Sequence, residues 1–225
     1  MALLDAVLRP GELAEVLAAF EQGEFVDGRE TAGALARRVK RNRQLKKTPE
    51  QADRLNRLIG DALWRDPGFQ RFALPRRIAP PLLSRYGPGM EYGWHVDDAL
   101  MRPGGQALRT DLSVTIFLND PGDYDGGALV LEGAVADEEV KLPRGSAVVY
   151  PSTSLHRVAP VERGERLVAV TWVESHVRDD GRRELLADLA MVRDALTAHG
   201  PGPLEAAADR SCKAYNNLLR RWADS

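Results

Sequence analysis

The 225-residue sequence predicts an α+β fold in which helices at both ends flank a β-rich core. Apolar residues recur every three or four positions before residue 65 and again after Arg178, which is the period of amphipathic helices. Between Leu82 and Val173 the pattern changes to short alternating or β-branched runs, separated by glycine, proline and aspartate. Such strands suit a sandwich or a flattened barrel.

Three helices are predicted before the core, over residues 11–23, 31–40 and 49–64. The basic run KRNRQLKK lies between the second and the third, and Pro49 would break whatever precedes it. We interpret the run as a solvated face, because it has no interleaved aromatic residues and the chain carries no net positive charge.

The core is predicted to contain seven strands, followed by two outer helices. The strands are expected at residues 82–86, 94–97, 112–118, 128–131, 147–150, 156–158 and 166–173. The apolar faces of the two helices are expected to be Leu185, Leu189, Val192 and Leu196, and then Leu204, Ala208, Tyr215, Leu219 and Trp222. We divide the chain into a helical region (1–77), a β core (78–178) and a helical extension (179–225) that form one folding unit.

Composition argues against several classes of partner. With 31 basic and 33 acidic side chains, the chain has no long-range field that would attract nucleic acid or an anionic membrane. Its single cysteine, Cys212, excludes an intramolecular disulfide framework and suits a reducing compartment. Pro10-Gly11 interrupts the first apolar stretch, so neither a signal peptide nor a membrane span is expected. The expected location is the cytoplasm.

The first chemical signal is His95-Val96-Asp97, on a predicted strand. Side chains two positions apart on a strand project from the same face, so His95 and Asp97 can converge on one ion. An isolated His-x-Asp is common, because aspartate readily serves in turns and caps. By itself the pair decides little.

His156, near the start of a later strand in the same region, adds a second imidazole. Two histidines and one carboxylate form the facial set that leaves open coordination positions on non-haem iron(II). A single histidine there would more often be a hydrogen-bonded structural group, and catalytic zinc sites also use two histidines and a carboxylate. The residues therefore indicate a metal site without fixing the metal.

Arg166 is the third signal, ten positions beyond His156 at the start of a predicted strand. It should share one strand face with Val168, Val170 and Trp172. A guanidinium on such a face is costly to bury without an anion, and its planar fork suits a carboxylate. The alternative is a strand-end arginine whose charged end reaches solvent.

These signals are part of a resemblance to a known family. The stretch 86–97, the strand 109–115, the turn 124–127, the segment 150–156 and Arg166 resemble the prolyl-4-hydroxylase-like 2-oxoglutarate oxygenases. Through further likeness at residues 27–33, 172–179 and 215–222, the whole chain is similar to the bacterial PKHD-type hydroxylases. The resemblance implies a double-stranded β-helix, or jelly roll, flanked by helices.

The resemblance also implies roles for individual residues. His95, Asp97 and His156 are expected to bind Fe(2+), and Arg166 to bind the far carboxylate of 2-oxoglutarate. Tyr86 is expected to donate its hydroxyl to the same carboxylate, with aromatic packing as the alternative. Each histidine should have a partner on its other ring nitrogen, which the sequence does not identify.

The expected reaction is the oxidative decarboxylation of 2-oxoglutarate with O2, coupled to hydroxylation of an unidentified substrate. The family suggests prolyl or lysyl side chains, a small molecule is equally consistent with the sequence, and an L-ascorbate requirement follows by analogy only. Tyr215, Leu219 and Trp222 could form a homo-oligomer contact through the C-terminal helices.

Two alternatives remain open at this point. One is a cupin-like metal-dependent isomerase or hydrolase, since a fold does not settle a function. The other is a non-catalytic module that senses iron or a 2-oxoacid. Arg166 favours the oxygenase over the hydrolase, because metal-assisted hydrolysis needs no carboxylate clamp at that position.

Overall fold

The computed structural model describes residues 1–31, 33, 36–198 and 202–224. The α-helices in these ranges lie at the two ends of the chain, as the sequence predicts. They are α1 (Pro10–Gln22), α2 (Pro49–Arg65), α3 (Pro67–Ala73), α4 (Asp180–Ala198) and α5 (Glu205–Trp222). None of these helices is long and apolar enough to cross a membrane.

The strands fall into an N-terminal group and a core group. The first group is β1 (Ala2–Leu4), β2 (Glu24–Asp27), β3 (Lys40–Arg41), β4 (Arg43–Lys46) and β5 (Pro75–Ile78). The second is β6 (Leu82–Tyr86), β7 (Glu91–His95), β8 (Leu100–Met101), β9 (Leu108–Arg109), β10 (Leu112–Phe117), β11 (Tyr124–Gly126), β12 (Leu129–Leu131), β13 (Glu138–Val140), β14 (Ala147–Pro151), β15 (His156–Val158), β16 (Val161–Gly164) and β17 (Arg166–Ser175).

Two antiparallel sheets form the core. The major sheet has the order β1-β14-β10-β17-β6-β4-β2, with β5 also paired to β17, and the minor sheet has the order β13-β12-β15-β7-β3. Two short pairs, β11-β16 and β8-β9, complete the arrangement. Paired antiparallel sheets of this kind form a jelly roll. The predicted α+β class with a double-stranded β-helix core is confirmed.

The central strand β10 is buried on both faces. Leu112, Val114 and Ile116 belong to a hydrophobic core that includes residues of α1 and α2. Phe117 belongs to a second core with side chains from both sheets, so the face that carries Ser113, Thr115 and Phe117 points between the sheets. A polar residue on this face therefore lies inside the barrel.

The predicted helix over residues 49–64 is confirmed as α2, which begins at Pro49 and ends at Arg65. Thr48 caps it, because Thr48 Oγ1 accepts a hydrogen bond from the backbone nitrogen of Gln51 while Gln51 Oε1 accepts one from Thr48. Arg65 then pairs with Glu12 of α1. The first helix, predicted over residues 11–23, is also confirmed.

The predicted helix over residues 31–40 is wrong. The described part of this stretch contains two 3-10 turns, Gly28–Thr31 and Ala36–Arg38, and then β3; residues 32, 34 and 35 lie outside the described residues. Strand pairing overrides the local helical pattern here, since Lys40 pairs with Tyr92 at the edge of the minor sheet.

The basic run is not a solvated face, which corrects a second prediction. Its side chains alternate along β3 and β4, so Lys40, Asn42 and Gln44 are buried while Arg41 and Arg43 are exposed. The run thus supplies one polar face to the interior and one charged face to solvent.

The predicted apolar face of the first C-terminal helix is confirmed only in part, since Leu189 and Leu196 are half-buried. Leu185 and Val192 are 59% and 52% exposed. The buried face of α4 is rotated and contains Arg183, Leu186, Ala187 and Ala190. The guanidinium of Arg183 donates to the backbone oxygens of Val177 and Arg178, which fixes the start of the helix and turns this face inward.

In α5, the predicted face is confirmed in part. Ala208, Tyr215, Leu219 and Trp222 are half-buried, whereas Leu204 is exposed. Leu204 precedes the first residue of the helix, so it does not share the helical face. Cys212 is a free, half-buried thiol.

Candidate metal and co-substrate site

The three predicted metal ligands lie together. His95 ends β7 and His156 begins β15, and the two residues are direct partners across the minor sheet with ring centroids 4.2 Å apart. Asp97 places Oδ1 3.9 Å from Nε2 of His95 and Oδ2 3.9 Å from Nε2 of His156. One ligand atom from each residue lies within 4.8 Å of the other two. The three side chains could therefore hold one metal ion.

Asp97 is not placed by the strand that the sequence predicted. The expected strand over residues 94–97 is wrong at its end, because β7 stops at His95 and Asp97 follows the strand. Asp97 therefore does not reach His95 through strand alternation. Its partner Ser113 lies on β10 of the major sheet, so this contact spans the two sheets.

Backbone carbonyls orient both imidazoles. Nδ1 of His95 lies 2.8 Å from the backbone oxygen of Gly93, and Nδ1 of His156 lies 3.0 Å from that of Ser154. A carbonyl oxygen can only accept, so each Nδ1 carries a proton and each Nε2 is the ring nitrogen that faces Asp97. These are the partners that the sequence did not identify.

Two buried serines hold the carboxylate. Ser113 Oγ donates to Asp97 Oδ2 at 2.5 Å, and Ser152 Oγ lies 2.8 Å from Ser113 Oγ. Sequence reasoning missed both. The available signal was the polar Ser113 on the mixed face of the central strand, since that face points between the sheets.

Burial also sets the charge of the site. Desolvation, followed by the neighbouring His156, lowers the pKa of His95 to about 4. Tyr92 stacks on the His95 ring at 3.6 Å between centroids with an interplanar angle of 15°. His95 is therefore neutral at pH 7 and can bind a metal without releasing a proton. Two imidazoles, of which that of His95 is neutral, and one carboxylate fit an iron(II) ion.

Arg166 is buried beside this set. It is 1% exposed at the start of β17, which excludes the alternative of an arginine that reaches solvent. Its guanidinium carbon lies 5.1 Å from the Tyr86 ring centroid, and its Nε has no hydrogen-bond partner in the described part of the chain. Among the described residues, no carboxylate lies within 4 Å of the guanidinium. A buried guanidinium without a carboxylate partner is costly, so we expect a bound anion beside it.

Tyr86 pairs directly with Arg166 across the major sheet and lines the same cavity. Burial raises the pKa of Tyr86, while Arg166 acts in the opposite direction. The hydroxyl is therefore protonated at neutral pH and can donate. Tyr86 also packs against Phe117 and Val168 in the second core, so both roles considered for it from the sequence are consistent with its position.

The site lies in a cavity that is partly open to solvent. The three predicted ligands, Arg166 and Tyr86 all line it. Its remaining polar wall includes Thr31, Lys40, Asn42 and Gln44, which sequence reasoning did not assign to the site. The available signal was the period-two pattern of polar residues within the basic run.

Comparison with known proteins then shows the family. The sequence profile of the 2OG-Fe(II) oxygenase superfamily matches residues 81–174. A PKHD-type hydroxylase of Methylobacterium nodulans is 49% identical over 97% of this chain and 96% of its own length, and one of Synechococcus elongatus is 46% identical over 98% of both. The chain belongs to the PKHD-type hydroxylases. The resemblance found in the sequence is thereby confirmed.

Membership of this family establishes the class of reaction. The chain is a 2-oxoglutarate-dependent dioxygenase, an oxidoreductase that uses Fe(2+), 2-oxoglutarate and O2. The cupin-like isomerase or hydrolase and the non-catalytic sensor receive no support from these relatives.

Solved structures agree on the fold. A Trichoplax adhaerens prolyl hydroxylase in complex with a hypoxia inducible factor peptide fragment superposes with a TM-score of 0.55 at 18% identity, covering 82% of this chain and 86% of that one. HygX of Streptomyces hygroscopicus, with nickel, 2-oxoglutarate and hygromycin B bound, gives 0.52 at 14% identity, covering 78% and 83%. At sequence identities this low, the similarity supports a shared fold and says nothing about a shared substrate.

Proposed function

We propose that His95, Asp97 and His156 bind the Fe(II) ion of this dioxygenase, and that Arg166 and Tyr86 bind the far carboxylate of 2-oxoglutarate. The observation that carries the proposal is the buried Arg166 guanidinium, which has no carboxylate partner among the described residues and lines one cavity with the three ligands. A bidentate carboxylate would satisfy both its charge and its planar donors.

When bound, iron and 2-oxoglutarate supply oxidative decarboxylation to succinate coupled to hydroxylation of a substrate C–H bond. The side chains of the protein orient and isolate these groups. Ser113 holds Asp97 in its ligand position, and the carbonyls of Gly93 and Ser154 aim the two imidazoles. Arg166 fixes the far end of the co-substrate, which restricts the orientation of its reacting end.

The primary substrate is proposed to be a peptidyl side chain or a small molecule. Both classes occur among proteins with this fold, since one structural neighbour holds a peptide fragment and another holds hygromycin B. An ascorbate requirement, a cytoplasmic location, the absence of nucleic-acid and membrane partners, and the division at residues 77 and 178 remain predictions.

A homo-oligomer through the C-terminal helices is a further proposal. Tyr215, Leu219 and Trp222 of α5 are only half-buried, and Leu185 and Val192 of α4 are exposed. Apolar side chains in these states leave surface that a second copy could cover. Sedimentation of the purified chain over a range of concentrations tests this proposal.

Anaerobic titration with Fe(II) and 2-oxoglutarate tests the site assignment through the visible metal-to-ligand charge-transfer band. We expect the band in the parent, its loss in His95→Ala, and a much higher half-saturating 2-oxoglutarate concentration in Arg166→Met. His176→Ala and Arg163→Met are the matched controls, because both side chains are exposed. A normal band in His95→Ala, or unchanged 2-oxoglutarate affinity in Arg166→Met, would contradict the assignment.

A further inference from the structure

The segment that contains β3 and β4 crosses from one sheet to the other beside the site. Lys40 pairs with Tyr92 on the minor sheet, whereas Gln44 pairs with Ser84 on the major sheet. Lys40, Asn42 and Gln44 alternate with exposed arginines, so all three point to the interior and line the cavity.

Lys40 is a buried ammonium group without an acidic partner. It is 6% exposed, its Nζ donates to Thr31 Oγ1 at 3.2 Å, and it lies 5.1 Å from the Tyr92 ring centroid. Within the described ranges, no carboxylate lies within 4 Å of Nζ, whereas the exposed Lys46 pairs with Glu24 at 3.3 Å. A hydroxyl and an aromatic face offset only part of the cost of burying this charge.

Asn42 is the second unsatisfied group. It is 5% exposed, and neither its Nδ2 nor its Oδ1 makes a hydrogen bond of normal geometry with any residue that the structure describes. The amide is nevertheless near enough to Tyr86 to oppose the rise in the pKa of that hydroxyl. The side chain is closely held, because a Cβ built on Gly28 would lie 1.7 Å from Asn42 Oδ1 and the Gly28 nitrogen donates to the Asn42 backbone oxygen at 2.9 Å. Buried side-chain amides normally make hydrogen bonds, so we expect a bound ligand to provide the missing hydrogen-bond partners of Asn42.

Thr31 and Gln44 position the ammonium group. Thr31 Oγ1 lies 2.7 Å from Gln44 Oε1, and Gln44 Nε2 lies 3.5 Å from Ser84 Oγ on β6. These bonds link Lys40 through Thr31 and Gln44 to the major sheet. The ammonium group is therefore held toward the cavity by fixed neighbours and is not a mobile surface lysine.

We propose that Lys40 and Asn42 bind a carboxylate group of the primary substrate and thereby select for acidic substrates. The ammonium group supplies the charge, and the asparagine amide supplies a second donor. The inference rests on the proposed function, because it assumes that Arg166 takes the far carboxylate of the co-substrate. Lys40 lies on the minor sheet and Arg166 on the major sheet, and the inference assigns a separate anion to each.

The experiment measures binding of matched acid and amide pairs by calorimetry. The probes are L-glutamate with L-glutamine, L-aspartate with L-asparagine, and N-acetylglycine with N-acetylglycinamide, each added to the anaerobic Fe(II) and 2-oxoglutarate complex. We expect the parent to bind at least one acid about 10-fold or more tightly than its amide. Lys40→Met should reduce this preference to less than about 2-fold, and Asn42→Ala should weaken binding of the acid by about 5-fold.

Arg41→Met is the matched control, since Arg41 is the next residue on the same strand and its side chain is 70% exposed. It should keep the full acid preference. Lys40→Gln keeps most of the side-chain length and a hydrogen-bond donor but removes the charge, so it should lose the acid preference as Lys40→Met does. It replaces Lys40→Met in the experiment if the methionine variant does not fold.

Three results would overturn the inference. These are no acid preference in any pair, an unchanged preference in both Lys40 variants, or a loss of 2-oxoglutarate affinity in the Lys40 variants as large as in Arg166→Met. The last result would make Lys40 a co-substrate ligand. The charge-transfer band is recorded in the same samples, so failure of the proposed co-substrate site is seen separately as absence of the band in the parent.

Discussion

Ser113 Oγ donates a 2.5 Å hydrogen bond to Oδ2 of Asp97, so a residue on the central strand of the major sheet holds a predicted ligand that follows a strand of the minor sheet. Asp97 lies beyond the last residue of β7, so the regular pairing of that strand does not fix its side chain. The position of the carboxylate therefore depends on contact between the two sheets.

Replacement of Ser113 by alanine should weaken Fe(II) binding by about 10- to 100-fold, because groups that orient metal ligands contribute on that scale. Equilibrium dialysis with Fe(II) under anaerobic conditions measures the effect. Ser211→Ala is the control, since Ser211 is also buried but its Oγ has no hydrogen-bond partner among the residues described. If both variants bind iron equally well, Ser113 does not position Asp97.

Arg166→Lys should retain the positive charge but raise the half-saturating concentration of 2-oxoglutarate by about 10-fold or more. Lysine presents a point charge in place of a planar fork and cannot bind a carboxylate through two parallel hydrogen bonds. The charge-transfer titration supplies the measurement. Wild-type affinity in Arg166→Lys would mean that charge alone is sufficient.

Gly28→Ala should lower the free energy of unfolding by about 1–3 kcal/mol, as expected when a methyl group is inserted into a packed site. The added Cβ would lie 1.7 Å from Asn42 Oδ1. Gly60→Ala provides the contrast, because Gly60 lies inside α2 and nothing lies within 4 Å of the position that an added Cβ would take. That change should stabilise the helix by about 1 kcal/mol. Urea unfolding of both variants measures whether the free energy of unfolding falls in Gly28→Ala and rises in Gly60→Ala.

Lys47 should make stability depend on pH in the alkaline range. Burial lowers the pKa of Lys47 to about 8 in the folded protein, where its Nζ donates to Asn56 Oδ1 and to the backbone oxygen of Pro81. The unfolded lysine has its ordinary pKa, about 10.4. Between these values the unfolded chain binds more protons, so the contribution of Lys47 to the free energy of unfolding rises with pH from about 8 to 10.

Urea unfolding at about pH 7.5, 8.5 and 9.5 measures this slope. Lys47→Met should reduce the slope, whereas Lys46→Met should leave it unchanged because Lys46 is exposed. The slope does not vanish in Lys47→Met, since burial also lowers the pKa of Lys40 to about 8. Equal slopes in the parent and Lys47→Met would show that Lys47 does not carry the effect.

The sequence by itself determined four of the five described α-helices and most of the main core strands, and it singled out the candidate site residues. Periodicity located α1 and α2 and six of the core strands, because amphipathic helices and half-buried strands leave their repeat in the order of residues. Residue type and spacing singled out His95, Asp97, His156 and Arg166 as candidates, since few other side chains can bind a metal or a carboxylate. The structure brings them to one cavity.

Only the tertiary structure decided the rest of the site. The helical pattern over residues 31–40 gave way to β3 because Lys40 pairs with Tyr92, a residue far along the chain. Ser113, Ser152, Lys40 and Asn42 gained their roles from contacts between sheets or across sheet edges, and one sequence does not record which distant residues meet. The order of residues along the chain sets the hydrophobic periodicity of each helix or strand. Which side chains are buried, and which charges lack a partner, depends on the distant residues that pack against that element.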